Sequence, residues 1–172
     1  PLSPSPPPRE PLLPPAFEEP ADSEAPTGVF AAAGGEETVN QAEEILRAGR
    51  WPLLGFGTLD FGAEIDWLRD PSSGGRWPLD YHADVRLVRG DGSDVRVLWE
   101  LNRLAHLLTL ARAYAFTRDE RFAEGFFRQL RSWRAQNPLG FGPNWACAME
   151  VALRAVNLLA ALRALVEFLG YV

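Results

Sequence analysis

Polar side chains recur at helical spacing within a stretch of the chain that is otherwise apolar. Glu100 and Arg103 are three residues apart, and Asn102 and His106 are four apart, so each pair is expected on one helix face. The simplest interpretation is solvated ion pairing and a surface amide. The other interpretation is that one end of this helix lines a cleft. There the amide and imidazole would hydrogen-bond hydroxyl groups, and the guanidinium would hold a carboxylate or a sulfate.

A second polar group surrounds the start of a later apolar stretch. Asn144 and Trp145 precede this stretch, and Glu150 and Arg154 lie four residues apart within it. Asn is a favoured N-cap, so a helix start alone would explain Asn144. Its amide can also donate to a carboxylate without any pKa adjustment. Glu150 and Arg154 are expected to form an ion pair that is either structural or orients Asn144. Trp145 either stacks on a ligand or closes the core.

Three helices must position these side chains. The spacing of apolar residues predicts helices over residues 94–116, 119–136 and 144–168. Asp94 is the expected N-cap of the first helix, and Asn137 followed by Pro138 ends the second. The short connection between them predicts an antiparallel hairpin. The third helix is apolar almost all round, which predicts burial on several sides.

Together these pieces resemble the N-terminal domain of the heparinase II/III-like polysaccharide lyases, a group that includes alginate-lyase-like proteins. The resemblance covers roughly residues 55–165, and its pieces occur in the family's order. The stretches that carry it are 59–62, 65–67, 76–78, 99–103, 144–145 and 149–157.

The resemblance implies β-elimination on a polysaccharide that contains uronic acid. Such an enzyme must stabilise the charge that develops beside the sugar carboxylate when a base removes the C5 proton. Asn144 matches the position where these lyases place a carboxylate-neutralising asparagine. The family's general base and acid are largely a Tyr and a His further along the fold, and no position here matches them. The residues expected to bind substrate are Glu100, Asn102, Arg103, His106 and Trp145, with Glu150 and Arg154 in support.

The predicted fold class is mainly α: the first helical hairpins of an incomplete (α/α) toroid, preceded by an irregular aromatic-rich segment. Five two-helix units of about 40 residues would need about 200 residues. We therefore expect the remainder of the toroid outside this sequence, and the resemblance implies a C-terminal β-domain there as well. The third helix is expected to leave four leucines uncovered: Leu158, Leu162, Leu165 and Leu169.

Two regions are expected along the chain. Residues 1–26 hold ten of the fifteen prolines, which predicts a disordered or polyproline-like tail. Residues 27–172 are expected to be the N-terminal part of the toroid, opening with a short helix that starts at Gly35 or Thr38 and ends at Gly49. Within residues 51–93, short strands are expected at 52–59 and 85–88. The aromatic residues of this segment either pack across the helices or form a platform for sugar stacking.

Composition limits the classes of partner and cofactor. A net charge of −6 argues against nucleic acid. By resemblance the partner is an acidic polysaccharide, which would need a local basic cluster. A single cysteine, Cys147, excludes an internal disulfide, and we expect no metal and no cofactor. No apolar run reaches about 18 residues, so no transmembrane segment is expected.

The alternative function is a catalytically inactive carbohydrate-binding or helical interaction fragment, because the family's base and acid have no match here. Heparan-type, alginate-type and bacterial exopolysaccharide substrates all fit the pattern. The family works mostly in the periplasm or outside the cell, and this is the only basis for expecting those locations.

Overall fold

The computed structural model describes residues 34–168 of the chain. The predicted tail at residues 1–26 and the predicted exposure of Leu169 lie outside the described residues. The mainly α fold class is confirmed, while the toroid stays a prediction. The elements are α1 (Gly35–Ala48), β1 (Arg50–Leu53), β2 (Gly57–Asp60), α2 (Val95–Asn102), α3 (His106–Thr117), α4 (Glu120–Gln136), a 3-10 turn (Pro143–Trp145) and α5 (Ala148–Phe168).

The first helix ends at Gly49, as the sequence predicts. Gly49 adopts a left-handed φ of 62° and its N–H donates to the Ile45 carbonyl. The chain then forms an antiparallel hairpin, in which Arg50 pairs with Asp60 and Leu53 with Gly57. The single strand expected at residues 52–59 is therefore two short strands and a turn. The strand expected at residues 85–88 is wrong, because Val88 makes only an isolated bridge there.

The helix predicted over residues 94–116 is wrong in one respect, because it is broken into α2 and α3. Asp94 caps α2 as expected, accepting from Arg96 N at 2.9 Å. The break lies at Leu104, which has a left-handed φ of 58° and is fully buried. A left-handed leucine costs about 1 kcal/mol or more. Burial of its side chain offsets that cost.

Helix α3 is the central element and packs against α1, α4 and α5. The predicted α3–α4 hairpin is confirmed as antiparallel. Near the turn, the Tyr114 hydroxyl bonds Glu120 at 3.2 Å. At the far end, His106 at the start of α3 meets Gln129 of α4 at 2.8 Å. Asp119 caps α4 and accepts from Arg121 N at 3.0 Å.

The irregular segment between β2 and α2 packs onto the C-terminal half of α4. Gln136 accepts from Trp67 N at 3.1 Å and donates to the Ile65 carbonyl at 2.8 Å. Trp67 also donates its indole N–H to Ser132 at 3.2 Å. Trp67 and Trp77 are both buried. Packing across the helices is therefore the arrangement that these two aromatic residues adopt.

Helix α5 differs from expectation in its start and in its burial. It begins at Ala148 and not at Asn144, which belongs to the 3-10 turn. Leu165 is buried, and Leu158 and Leu162 pack against the core, so these three are not the uncovered residues. Burial on several sides is wrong for the described residues, because one face of α5 is exposed. Its large apolar members are Met149, Leu153, Val156, Leu159 and Val166.

Across residues 34–168, no helix combines the length and the apolar character needed to cross a bilayer.

We expect Gly49→Ala to destabilise the fold strongly, because an added Cβ would lie 2.1 Å from the Gly62 carbonyl oxygen. Gly55→Ala is the matched control, since Gly55 has a φ of 82° but an added Cβ would meet nothing within 4 Å. The control should lose about 1 kcal/mol of unfolding free energy from left-handed strain alone. Gly49→Ala should lose about 3 kcal/mol or more. Equal losses in urea unfolding would contradict this argument.

Candidate functional site

Asn102 lies at the end of α2 and joins three parts of the fold. Its Nδ2 donates to the Leu98 carbonyl at 2.8 Å and to the Trp67 carbonyl at 3.0 Å. Its Oδ1 accepts from the Trp133 indole at 2.8 Å. Asn102 is fully buried. Both amide hydrogens and the amide oxygen are therefore engaged within the protein, and the side chain fixes the α2–α3 corner.

Arg154 of α5 connects this corner to the 3-10 turn. Its Nε donates to the Asn102 carbonyl at 2.7 Å, and its Nη2 donates to the Asn144 carbonyl at 3.0 Å. The guanidinium also lies over the rings of Trp133 and Trp145, at 4.7 and 5.5 Å from the centroids. Arg154 thus contacts Asn144 through the backbone carbonyl of Asn144 and not through its side-chain amide.

Burial lowers the pKa of Arg154 to about 10, and the nearby charge of Glu150 opposes that shift. A pKa of about 10 still leaves the guanidinium charged at neutral pH. The cation therefore stays in a site where only 3% of the residue is exposed.

Asn144 is fully buried within the 3-10 turn. Its Nδ2 donates to Asn137 Oδ1 at 2.7 Å and lies 3.5 Å from the Trp67 carbonyl. Asn137 in turn donates to the Trp133 carbonyl at 2.9 Å, which fixes the orientation of both amides. The Oδ1 of Asn144 and the Nε1 of Trp145 are buried without partners among the described residues. The N-cap explanation for Asn144 is therefore wrong, since its side chain does not begin α5.

Arg103 holds two carboxylates at the edge of this network. Its Nε and Nη2 donate to the two oxygens of Glu150, each at 2.8 Å, and its Nη1 bonds Glu100. The bond to Glu150 is the largest cause of the raised pKa of Arg103. The expected pairing of Glu150 with Arg154 is wrong in this structure, because Glu150 of α5 instead binds Arg103, which follows the end of α2.

His106 is the first residue of α3, two positions after the turn at Leu104. Its Nε2 is 2.8 Å from Gln129 Oε1, and its ring stacks on Trp51 at 4.1 Å. Burial lowers its pKa to about 3, so the imidazole is neutral at pH 7. Asn102 and His106 do not share a helix face as expected, because the chain turns at Leu104 between them.

A groove of about 360 Å³ lies between α1, β1 and the α2–α3 corner, and we call it the α1 groove. Glu100 and His106 both line it, so the structure brings these two predicted residues together. The six other predicted residues lie outside its lining: Asn102, Arg103, Asn144, Trp145, Glu150 and Arg154. Trp51 also lines the groove and belongs to the aromatic segment for which packing or sugar stacking was expected, whereas the polar face of α1 was not predicted. Polar residues recurring on α1 at helical spacing were the available signal.

Residues 34–168 contain no group of three or more His, Cys, Asp or Glu side chains arranged to hold a metal ion.

The model of the family described as Heparinase II/III N-terminus matches residues 37–167. The chain belongs to this family. The resemblance seen in the sequence is thereby confirmed, and the matched range includes every candidate site residue. Membership in the heparinase II/III N-terminal family indicates that the chain is part of a lyase that degrades polysaccharide. No curated protein and no solved structure matches the chain.

Acid is expected to destabilise this family member through His106, whose pKa falls from 6.5 to about 3 on folding. Between these values the unfolded state binds a proton that the folded state excludes, so stability falls as pH falls. Acidification from about pH 7 to about pH 4 should remove about 3 kcal/mol through this residue.

Urea unfolding of the native protein and of His106→Gln at both pH values measures this effect. Gln can still hydrogen-bond Gln129 but does not titrate. The pH-dependent loss should therefore be smaller in the variant by about the His106 contribution. Identical pH dependence in the two proteins would show that His106 is not the source.

Arg154→Met should destabilise the protein by about 3 kcal/mol, because two buried carbonyls lose a charged donor. Arg154→Lys should recover only part of this loss, since an ammonium group lacks the planar fork of donors. Arg112→Met is the control, because Arg112 is exposed on α3, and should stay within about 0.5 kcal/mol. Full recovery by Lys in thermal or urea unfolding would contradict the two-carbonyl arrangement.

Proposed function

We propose that this chain is the N-terminal portion of a bacterial polysaccharide lyase that cleaves uronic-acid-containing chains by β-elimination. The observation that carries the proposal is the family match over residues 37–167, which includes Asn144 and the whole polar network around it. In this proposal Asn144 is the catalytic residue of the chain, and the general base and acid come from other parts of the complete enzyme.

The chemical task is to stabilise charge next to the C5 proton of a uronate. A hydrogen-bond donor at the sugar carboxylate lowers the energy of the enolate-like transition state. One N–H of Asn144 is held by Asn137 at 2.7 Å, whereas the other faces the Trp67 carbonyl at 3.5 Å. A contact of 3.5 Å is at the limit of a useful hydrogen bond, so this second N–H can be redirected at low cost.

Access to that N–H requires movement, because Asn144 is fully buried. Trp145 is the neighbour best placed to move, since it is only half-buried and its Nε1 has no partner among the described residues. A sugar hydroxyl accepting from Trp145 would satisfy this donor as the substrate carboxylate reaches Asn144.

Arg103 is the cation proposed to bind the acidic groups of the polymer. Its side chain is 25% exposed, Glu150 is only 2% exposed and Glu100 is 16% exposed. The bidentate bond to Glu150 fixes the guanidinium, while the single bond to the more exposed Glu100 can be exchanged. A substrate carboxylate or sulfate would replace Glu100 and keep the charge of Arg103 balanced.

The second candidate function is carbohydrate binding without catalysis. The specific observation in its favour is the burial of Asn144, whose amide hydrogens face protein acceptors. In that case Asn144 and Asn137 would serve only to hold the turn beside α5, and no group of this chain would act on the C5 proton.

Asn144→Ala in the full-length protein tests catalysis. We expect kcat to fall by about a hundredfold or more with little change in KM, because the interaction is made mainly in the transition state. Release of unsaturated uronate, followed by ultraviolet absorbance on alginate, heparan and bacterial exopolysaccharide, measures turnover.

Asn157→Ala is the matched control. Asn157 lies in α5, and its side-chain amide, like that of Asn144, donates to a protein acceptor, in this case the Arg103 carbonyl at 2.8 Å. It should lose stability without a comparable loss of kcat. Unchanged turnover in a folded Asn144→Ala protein would refute the catalytic role. Retained polysaccharide binding with no turnover in the unmodified protein would favour the binding function.

A further inference from the structure

We propose that the α1 groove is a binding subsite for an uncharged sugar unit. The proposal rests on the function above only in taking a polysaccharide as the ligand. The groove is separate from the Asn144 turn, which contributes no residue to its lining. At about 360 Å³ it has room for a single sugar ring with part of its neighbour.

The lining combines an apolar base with a polar rim, which is the arrangement that a sugar ring needs. Ile45, Trp51 and Leu53 are buried lining residues, and they offer apolar surface to the C–H groups of a ring. Asn40 and Gln41 are exposed lining residues on α1, and amides offer both donors and acceptors to hydroxyl groups. One N–H of Gln41 donates to Glu37 at 2.7 Å, and its other N–H and its carbonyl oxygen remain for a ligand.

The charge of the lining argues against a uronate in this groove. Three carboxylates line it, those of Glu37, Glu44 and Glu100, against one guanidinium, that of Arg50. Arg50 is paired with Asp60 at 2.8 Å, and two of the carboxylates are paired as well, Glu44 with Arg47 and Glu100 with Arg103. Glu37 is held by a hydrogen bond from Gln41 at 2.7 Å, so the lining keeps more carboxylate than guanidinium charge. A sugar carboxylate placed here would meet like charges, each costing about 1 kcal/mol at a separation of 4 Å in water and more when partly desolvated. Carboxylates are, however, strong acceptors for sugar hydroxyls.

His106 completes the groove as a neutral group. Its Nε2 faces Gln129 Oε1 at 2.8 Å, so the ring proton is assigned to Nε2 and Nδ1 keeps a lone pair. Nδ1 has no hydrogen-bond partner within residues 34–168. The neutral ring adds no positive charge that would attract a carboxylate.

Calorimetric titration of the full-length protein tests the subsite with defined probes. The neutral probes are cellotriose, maltotriose, xylotriose and chitotriose, and the charged pair is trigalacturonate and its carboxyl-reduced form. We expect at least one neutral probe to bind, and the binding that Asn40→Trp removes to be about tenfold tighter for the reduced form than for the acid, which Arg103 can bind outside the groove. Failure of every neutral probe, or binding of the acid that is tighter and is removed by Asn40→Trp, would overturn the proposal.

Asn40→Trp blocks the groove from the exposed side of α1 without altering the core. It should weaken binding of the neutral probe about tenfold or more. Glu36→Trp is the control, since Glu36 is exposed on the same helix but outside the lining, and should bind normally. Normal binding by a folded Asn40→Trp protein would place the sugar elsewhere and refute the subsite.

The lyase assay on the same proteins separates this proposal from the proposed function. Neutral-probe binding that Asn40→Trp abolishes, in a protein that releases no unsaturated uronate, would leave the subsite standing without the lyase. Lyase activity with no effect of Asn40→Trp on KM or on probe binding would leave the lyase standing without the subsite.

Discussion

The guanidinium of Arg154, buried between two backbone carbonyls, is the interaction on which the polar region depends. A buried cation is costly unless its donors are satisfied. Asn102 is the last residue of α2, and Asn144 lies in a single 3-10 turn, so both carbonyls belong to helix ends, where backbone acceptors lack helical partners. Arg154 donates to both. These two hydrogen bonds hold the end of α2 and the 3-10 turn in place relative to each other and to α5. Because breaking either bond would leave a buried charge partly unsatisfied, the arrangement is fixed.

Charge balance explains how so many ionisable groups share this region. The formal charges of four side chains sum to zero: Glu100, Arg103, Glu150 and Arg154. The buried carboxylate of Glu150 bonds Arg103, and its charge also favours the charged form of Arg154. Removing any one of the four would leave a net charge in a poorly solvated place. Of the two carboxylates, Glu100 is the one that a substrate anion can replace, because its side chain has more access to water than that of Glu150.

Local signals were enough to predict most of the helix boundaries. Asp94 and Gly49 each act within one turn of their own helix, so their roles follow from residue type and spacing. The break at Leu104 could not be predicted in this way, because its left-handed backbone depends on burial by distant residues. The partner of Glu150 could not be predicted either, because it is set by a contact between residues that are distant in the sequence. Arg103 lies 47 residues away, whereas the nearer Arg154 turns to backbone carbonyls.

Overall charge places a condition on how an acidic polymer could be held. The chain carries a net charge of −6, and three of its carboxylates line the α1 groove. Long-range attraction therefore cannot draw in a polyanion, and at physiological salt it would be screened beyond about 8 Å. Binding must come from short-range contacts, in which a half-buried cation such as Arg103 gains from desolvation and fixed geometry. A polymer that presents an uncharged unit to the groove avoids the repulsion and leaves its acidic unit for Arg103.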